Sequence, residues 1–342
     1  MKKLFSLGLM LCINLTAQIP TYYNSIDFTQ APASVKAQLE NLVRETQLYN
    51  LTYTPQVWYA LKDIDLDPDN AEDVLLIYGY NDSDNQHFND RTRDKDLSCH
   101  TTNCPGLWNR EHVYPRSIGG FDYQSWPGTD IHALRACDAD FNEFRGNSPF
   151  GPGSGNAEMM LNSRFYPGDE WKGDVARMIM YMYIRYPSSL LPNYVGDSPH
   201  TYHQDMPDIF LEWNAEDPPA EFEIRRNNLI AQDYQGNRNP FIDNPFLATY
   251  IWGGPMATNT WESLEVEDFQ TKEFQVYPNP TQDYISYQEE FDQILIYNFQ
   301  GQLLFEDKDL SDYKTNLPQN SGLYFVKFCN QGECHSVKVY KK

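Results

Sequence analysis

Positive charge is scarce in this chain. Its 342 residues hold 26 Lys and Arg against 48 Asp and Glu, a formal net charge of −22. A field this acidic weakens long-range attraction to a polyanion and makes any such binding more dependent on divalent cations. From Glu262 onward there are 14 acidic and seven basic residues, leaving 34 and 19 before it, so the tail does not account for the acidity. Cysteine is sparse as well, six in all, and a chain of this length buries a core without many covalent staples. Beyond the first fifteen residues no stretch approaches the ~20 apolar residues that cross a bilayer, which excludes a helical membrane span there.

The N-terminal end differs. Lys2 and Lys3 precede an apolar run from Leu4 to Leu15, and Ala17 stands before Gln18, the pattern of a secretory signal peptide over residues 1–18. The bulky Leu11 before Cys12 argues against a lipid-modified cysteine. An exported, soluble chain follows, expected to be a monomer. In an oxidising compartment thiols pair, and Cys99 with Cys104, and Cys329 with Cys334, would each close a small loop. Cys137 is then left alone or exchanges into the first bridge. Zinc at Cys99, His100 and Cys104 lacks the second ligand pair such sites need.

Spacing of Val35, Leu39, Leu42 and Val43 predicts a helix over 33–46, and Pro55 opens another to Leu66. Asp73 to Tyr78 reads as a buried strand, residues 81–107 as a long polar loop, and 174–186 and 219–232 as helices. The pattern is α+β. Residues 257–270 form a polar linker, after which short alternating strands at 284–287, 293–297, 303–305, 323–328 and 336–340 predict a small all-β sandwich.

Residues 109–117, Asn-Arg-Glu-His-Val-Tyr-Pro-Arg-Ser, carry the densest chemistry. His112 can act as a general base near neutral pH and Glu111 can offer a hard oxygen to magnesium. One carboxylate does not fix such an ion, so a second ligand must come from elsewhere. With Asp138 as a helix N-cap, Asn142 and Arg145 fall one turn apart on one face, the amide oxygen toward a metal and the guanidinium toward a phosphate. These are the groups that metal-assisted phosphodiester hydrolysis requires. Arginines 110, 116, 135, 145, 164 and 177 are the candidates for a local positive cleft, and Trp108 and Tyr114 for stacking on bases.

The 109–117 motif, Asp130-Ile131-His132 with Asn142 to Asn147, Lys172 to Arg177, and Arg226 to Asn228 with Gln235 to Asp243 together resemble the endonuclease I family of extracellular and periplasmic nucleases, over roughly residues 25–250. The resemblance implies a His-Me finger (ββα-metal) domain across 19–256, with His112 as base and Glu111 and Asn142 holding Mg2+, for which Ca2+ or Mn2+ can substitute in binding. It implies cleavage of DNA, often RNA too, to 5′-phosphates. Arg145 and Arg116 compete for the transition-state charge. Asp130 and Arg110 are supporting residues, and His132 either orients a catalytic group or braces the finger. The chain departs from the family at Asn244, where members often carry histidine. Lys172, Asp174 and Arg177 read first as an ion-pair network and Asp243 as a turn or capping carboxylate.

Val276-Tyr277-Pro278-Asn279-Pro280, Ser321 to Val326 and the basic end at Lys338, Lys341 and Lys342 resemble the type IX secretion C-terminal sorting domain over 271–342. That implies the type IX machinery as a partner, with the product released or held at the cell surface. Without this likeness the segment is a β-sandwich with no aromatic platform for sugar. The expected activity is a secreted, divalent-metal-dependent, sequence-tolerant endonuclease. The rivals are an extracellular ribonuclease of the same fold and a non-catalytic surface protein that binds nucleic acid.

Overall fold

The computed structural model describes residues 19–101, 103–261, 276–288, 291–298, 302–308, 310, 312–330 and 333–342. The expected signal peptide and most of the expected linker lie outside them. The chain divides into two compact units, Met1–Leu264 and Glu265–Lys342.

The first unit opens with helix α1 (Pro32–Thr46), whose proline sits in the first turn and whose Val35, Leu39 and Val43, four residues apart, form one buried stripe. Helix α2 (Gln56–Ile64) buries Val57, Trp58, Ala60, Leu61 and Ile64. Strand β1 (Asp73–Leu75) pairs antiparallel with β2 (Thr92–Asp94). The strand expected over 73–78 is thus half as long. Leu76 N–H still bonds to the Arg91 carbonyl, but Ile77 N–H turns to the Ala136 carbonyl and Tyr78 takes a left-handed φ of 75°. The segment expected to be all loop contains β2, set by Asp82, whose Oδ1 accepts both Arg91 N–H and Thr92 N–H.

Strand β3 (Trp108–His112) is followed by the single turns α3 (Arg116–Gly119) and α4 (Trp126–Thr129), then by β4 (Leu134–Asp138) and α5 (Ala139–Arg145). β3 and β4 are antiparallel, with Glu111 opposite Arg135 and His112 opposite Leu134. No loop separates β4 from α5: Asp138 ends the strand and caps the helix, its Oδ1 accepting Asp140 N–H and Phe141 N–H at 2.9 Å each. Arg93 holds its other oxygen at 2.5 Å.

A hairpin of β5 (Glu158–Met160) and β6 (Arg164–Tyr166) leads to α6 (Lys172–Arg185), buried from Gly173 through Ile184. A helix covered on every side belongs at the centre of its domain. The rest is helical: α7 (Asp208–Glu216), α8 (Glu221–Leu229), α9 (Pro240–Asp243) and α10 (Phe246–Trp252).

Buried charges tie these elements together. Arg177 on α6 grips Glu223 on α8 through two bonds of 2.7 and 2.6 Å. Arg135 on β4 meets Asp174 on α6 at 3.0 Å. Arg226 on α8 meets Asp65 at 2.7 Å, and Asp65 also accepts Ala136 N–H. Asp174 and Arg177 therefore belong to a structural network, while Lys172 pairs with Glu216 near the surface. Asp243 is not a cap but a hub for Arg238, Tyr23 and Asn227; the cap of α9 is Asn239. Asn244 is fully buried and ties its turn, accepting Phe246 and Thr260 N–H.

The second unit holds two antiparallel sheets. β7 (Tyr284–Ser286) pairs with β10 (Lys314–Asn316), and β8 (Gln293–Asn298), β9 (Leu303–Asp307), β11 (Gly322–Asn330) and β12 (Glu333–Lys341) form a sheet in the order β12-β11-β8-β9. Ile285 of the first sheet and Ile294, Ile296, Val326, Phe328 and Val339 of the second share one apolar core. Cys329 lies opposite Cys334 in the β11–β12 register, and the side chain of Cys334 is outside the described residues. Among the described residues no helix is long and apolar enough to cross a membrane.

Removing one member of a buried charge pair strands the other in a medium that cannot solvate it. Arg177→Ala is therefore expected to cost about 3–5 kcal/mol in denaturant unfolding, whereas Tyr59→Ala, at a side chain 65% exposed, should stay within about 0.5 kcal/mol. A loss below about 1 kcal/mol for Arg177→Ala would show that α6 and α8 do not depend on this pair.

Candidate active site

The β3–β4 ladder and α5 meet at an open cleft of about 1160 Å³ lined by Glu111, His112, Arg110, Asn109, Arg116 and Asn142, among others. Neighbours on a strand face opposite ways. Glu111 and His112 nevertheless both line one cleft, His112 being the last residue of β3.

His112 places Nε2 3.0 Å from the Gly128 carbonyl oxygen. A carbonyl only accepts, so Nε2 carries the proton and Nδ1 keeps its lone pair. The ring packs against Tyr53 at 5.8 Å with 20° between planes, and against Phe121 at 6.0 Å. Burial, with Arg116 and Arg110 adding to it, pushes the pKa down to about 3, so the imidazole is neutral near pH 7. Gly128 itself has no room for a side chain: a Cβ there would come within 1.8 Å of the Asp122 carbonyl oxygen.

Glu111 is 2% exposed. Both its side-chain donors, the Tyr78 hydroxyl at 3.0 Å and Arg145 NH1 at 3.2 Å, converge on Oε1, and no side chain among the described residues occupies Oε2. Burial lifts the carboxyl to about 7, against the pull of Arg145 and Tyr78. A cation at Oε2 would restore its charge. One turn into α5, Asn142 donates Nδ2 to Asn109 Oδ1 at 2.7 Å, which leaves its own Oδ1 as an acceptor.

Glu111 Oε2 and Asn142 Oδ1 are the cleft oxygens that could hold a hard divalent cation.

The other expected site residues divide into two sets. Arg145 does not line the cleft. It is 1% exposed, its guanidinium lies 4.6 Å above Phe150, and its NH2 donates to the Val113 carbonyl at 3.0 Å. It braces Glu111 from behind because α5 turns that face inward. Arg116 does line the cleft, lying 3.5 Å over the Tyr123 ring and donating to its hydroxyl at 2.6 Å. Arg110 lies between Tyr53 and Trp58. Trp108 and Tyr114, expected to flank the cleft, are 0% and 1% exposed and belong to the core.

Asp130 and His132 lie behind the cleft. Asp130 accepts four bonds, from Tyr181, Tyr186, Gln235 and His132 N–H. His132 packs against Tyr181 at 4.4 Å with 45° between planes and bonds to the Asn237 carbonyl. These residues brace the segment that presents the Gly128 carbonyl. Cys99 and Cys104 form a disulfide at the cleft's rim, and Cys137 is a buried free thiol with no part in it.

Sequence reasoning missed Asn109, Tyr78, Tyr53, Tyr123 and the Gly128 carbonyl. Asn109 had a signal, its place at the head of the motif; the others come from distant segments.

A family model described as Endonuclease I matches residues 31–246, and one described as Secretion system C-terminal sorting domain matches 275–342. Two proteins, each named extracellular ribonuclease, are similar to this chain. That of Bacillus subtilis (strain 168) is 38% identical over 248 residues, 69% of this chain and 80% of its own. That of Bacillus amyloliquefaciens is 37% identical over 252 residues, 70% of this chain and 81% of its own. The chain thus belongs to the endonuclease I family, as a nuclease that a C-terminal sorting domain directs to the cell surface or beyond.

Proposed function

We propose that this nuclease is a divalent-metal-dependent endonuclease that cuts RNA and DNA with little regard to sequence and leaves 5′-phosphates. One observation carries the reading: a histidine held in a single tautomer stands next to a buried carboxylate whose two side-chain donors both converge on one oxygen, in the same cleft. The antiparallel β3–β4 pair running straight into α5 supports a ββα-metal, or His-Me finger, arrangement of these groups. The two relatives named as ribonucleases support RNA as a substrate.

In this mechanism Nδ1 of His112 takes a proton from a water as that water attacks phosphorus. The O3′ atom departs, and the phosphate stays on the 5′ side. The Gly128 carbonyl supports the charge that the imidazole gains. Arg116 faces the phosphate, since Arg145 is committed to Glu111. Glu111 Oε2 and Asn142 Oδ1 would hold magnesium. When bound, the ion neutralises charge building on the phosphate and the departing oxygen.

Chelation with EDTA is expected to abolish cleavage of both RNA and DNA by the full chain, and Mg2+ to restore it, with 5′-phosphate ends in the products. Persistent RNA cleavage in EDTA, giving 2′,3′-cyclic ends, would make the 2′-hydroxyl the nucleophile and end this reading. His112→Ala should lower kcat at least about 100-fold, the scale of a lost general base. Gly128→Ala should lower kcat by about tenfold or more with little change in KM, because the carbonyl that aims His112 must move; an unchanged kcat would show that this carbonyl does not position the base.

A further inference from the structure

Six side chains form a continuous stack along the cleft, in the order Arg116, Tyr123, Tyr53, Arg110, Trp58, His100, and all six line it. Successive members lie 3.5, 4.5, 3.4, 4.2 and 4.3 Å apart. His112 packs against the middle of the row, on Tyr53. The two ends reach solvent: Arg116 is half-buried beside Tyr123, itself 43% exposed, and His100 is exposed on the disulfide-closed loop.

We propose that this row is a subsite for unpaired nucleobases, so that single-stranded RNA and DNA are bound in preference to duplex. The proposal rests on the nuclease reading above and names the form of its substrate.

Charge cannot supply the grip. The cleft's two guanidiniums face three carboxylates, Glu111, Asp140 and Glu143, within a chain of net charge −22. A duplex offers one phosphate charge per roughly 1.7 Å of axis and is held mainly by neutralising many of them. Its base faces are covered by their neighbours. An unpaired strand leaves its faces free for rings and guanidinium planes, and each such stack contributes without regard to sequence or salt. The open ends of the row, on either side of His112, place one base before and one after the bond to be cut. Arg116 commits NH2 to the Tyr123 hydroxyl and Arg110 commits NH1 to the Tyr53 carbonyl and Thr54, and the remaining N–H groups of each can meet a phosphate.

The test uses the full chain carrying His112→Ala, in EDTA, with fluorescence anisotropy of a short single-stranded oligonucleotide and of its duplex. Single strand should bind at least about tenfold more tightly than duplex. With at most two phosphate contacts, the slope of log affinity against log salt should be no steeper than about −1.4. Tyr123→Ala and His100→Ala, each added to this protein, should weaken single-strand binding about fivefold or more. Tyr123→Phe, which keeps the ring, should retain most of it, and Tyr59→Ala, outside the cleft, should change nothing.

Equal or tighter binding of duplex, no measurable single-strand binding, or no effect of either alanine variant would overturn the proposal. Each of those results leaves the nuclease reading standing if the unaltered chain still cuts with Mg2+. Failure of the unaltered chain to cut either nucleic acid would end that reading independently.

Discussion

The hydrogen bond from His112 Nε2 to the Gly128 carbonyl is the constraint on which the proposed chemistry depends. It chooses the tautomer and aims Nδ1, and in the proposed mechanism it would support the proton that the ring takes up. A backbone carbonyl can do this only if its segment is immobile. Much of the first unit serves that end. Asp130, two residues further on, is fixed by two tyrosines and Gln235, and the turn at Gly128 closes so tightly on Asp122 that only glycine fits. Arg226 binds the carbonyls of Ile131 and Leu134 on the same stretch. The buried charges tying β4 to α6 and α8 are thus remote from the cleft and still bear on its geometry.

The Glu111 side of the cleft is built differently. Glu111 is expensive to bury, and Tyr78 and Arg145 offset only part of that cost on one oxygen. A carboxylate left in this condition is poised to gain from a cation. Asn142 arrives beside it because Asp138 is both the last residue of β4 and the cap of α5, which fixes the phase of the helix against the strand. Under the proposed function an acidic protein with few cations in its cleft would handle a polyanion on these terms, with a bound ion carrying the charge and aromatic stacking the strand.

Much of this was legible from residue types and spacing. The stripe of Val35, Leu39 and Val43 marked α1, Asp138 read as a cap, and the Glu111–His112 motif with Asn142 pointed to one cleft. What was hidden has physical reasons. The partner of His112 is a main-chain oxygen, which leaves no side-chain trace. The strand expected over 73–78 is cut short because Ile77 leaves β2 for β4, a long-range choice. β10 buries only Thr315 of its three residues, too little to alternate. Arg145 looked available because helical phase does not reveal which face a neighbouring strand covers. The stacked row draws on four separate segments, while the aromatic residues nearest the motif, Trp108 and Tyr114, belong to the core.

The state of His112 itself can be read by nitrogen NMR on the full chain with 15N-labelled histidine, seven residues in all, assigned by comparison with His112→Ala. The expected spectrum at neutral pH has a protonated Nε2 and a bare Nδ1 for His112. A protonated Nδ1, or a charged ring carrying both protons, would contradict the account of how this nuclease activates water.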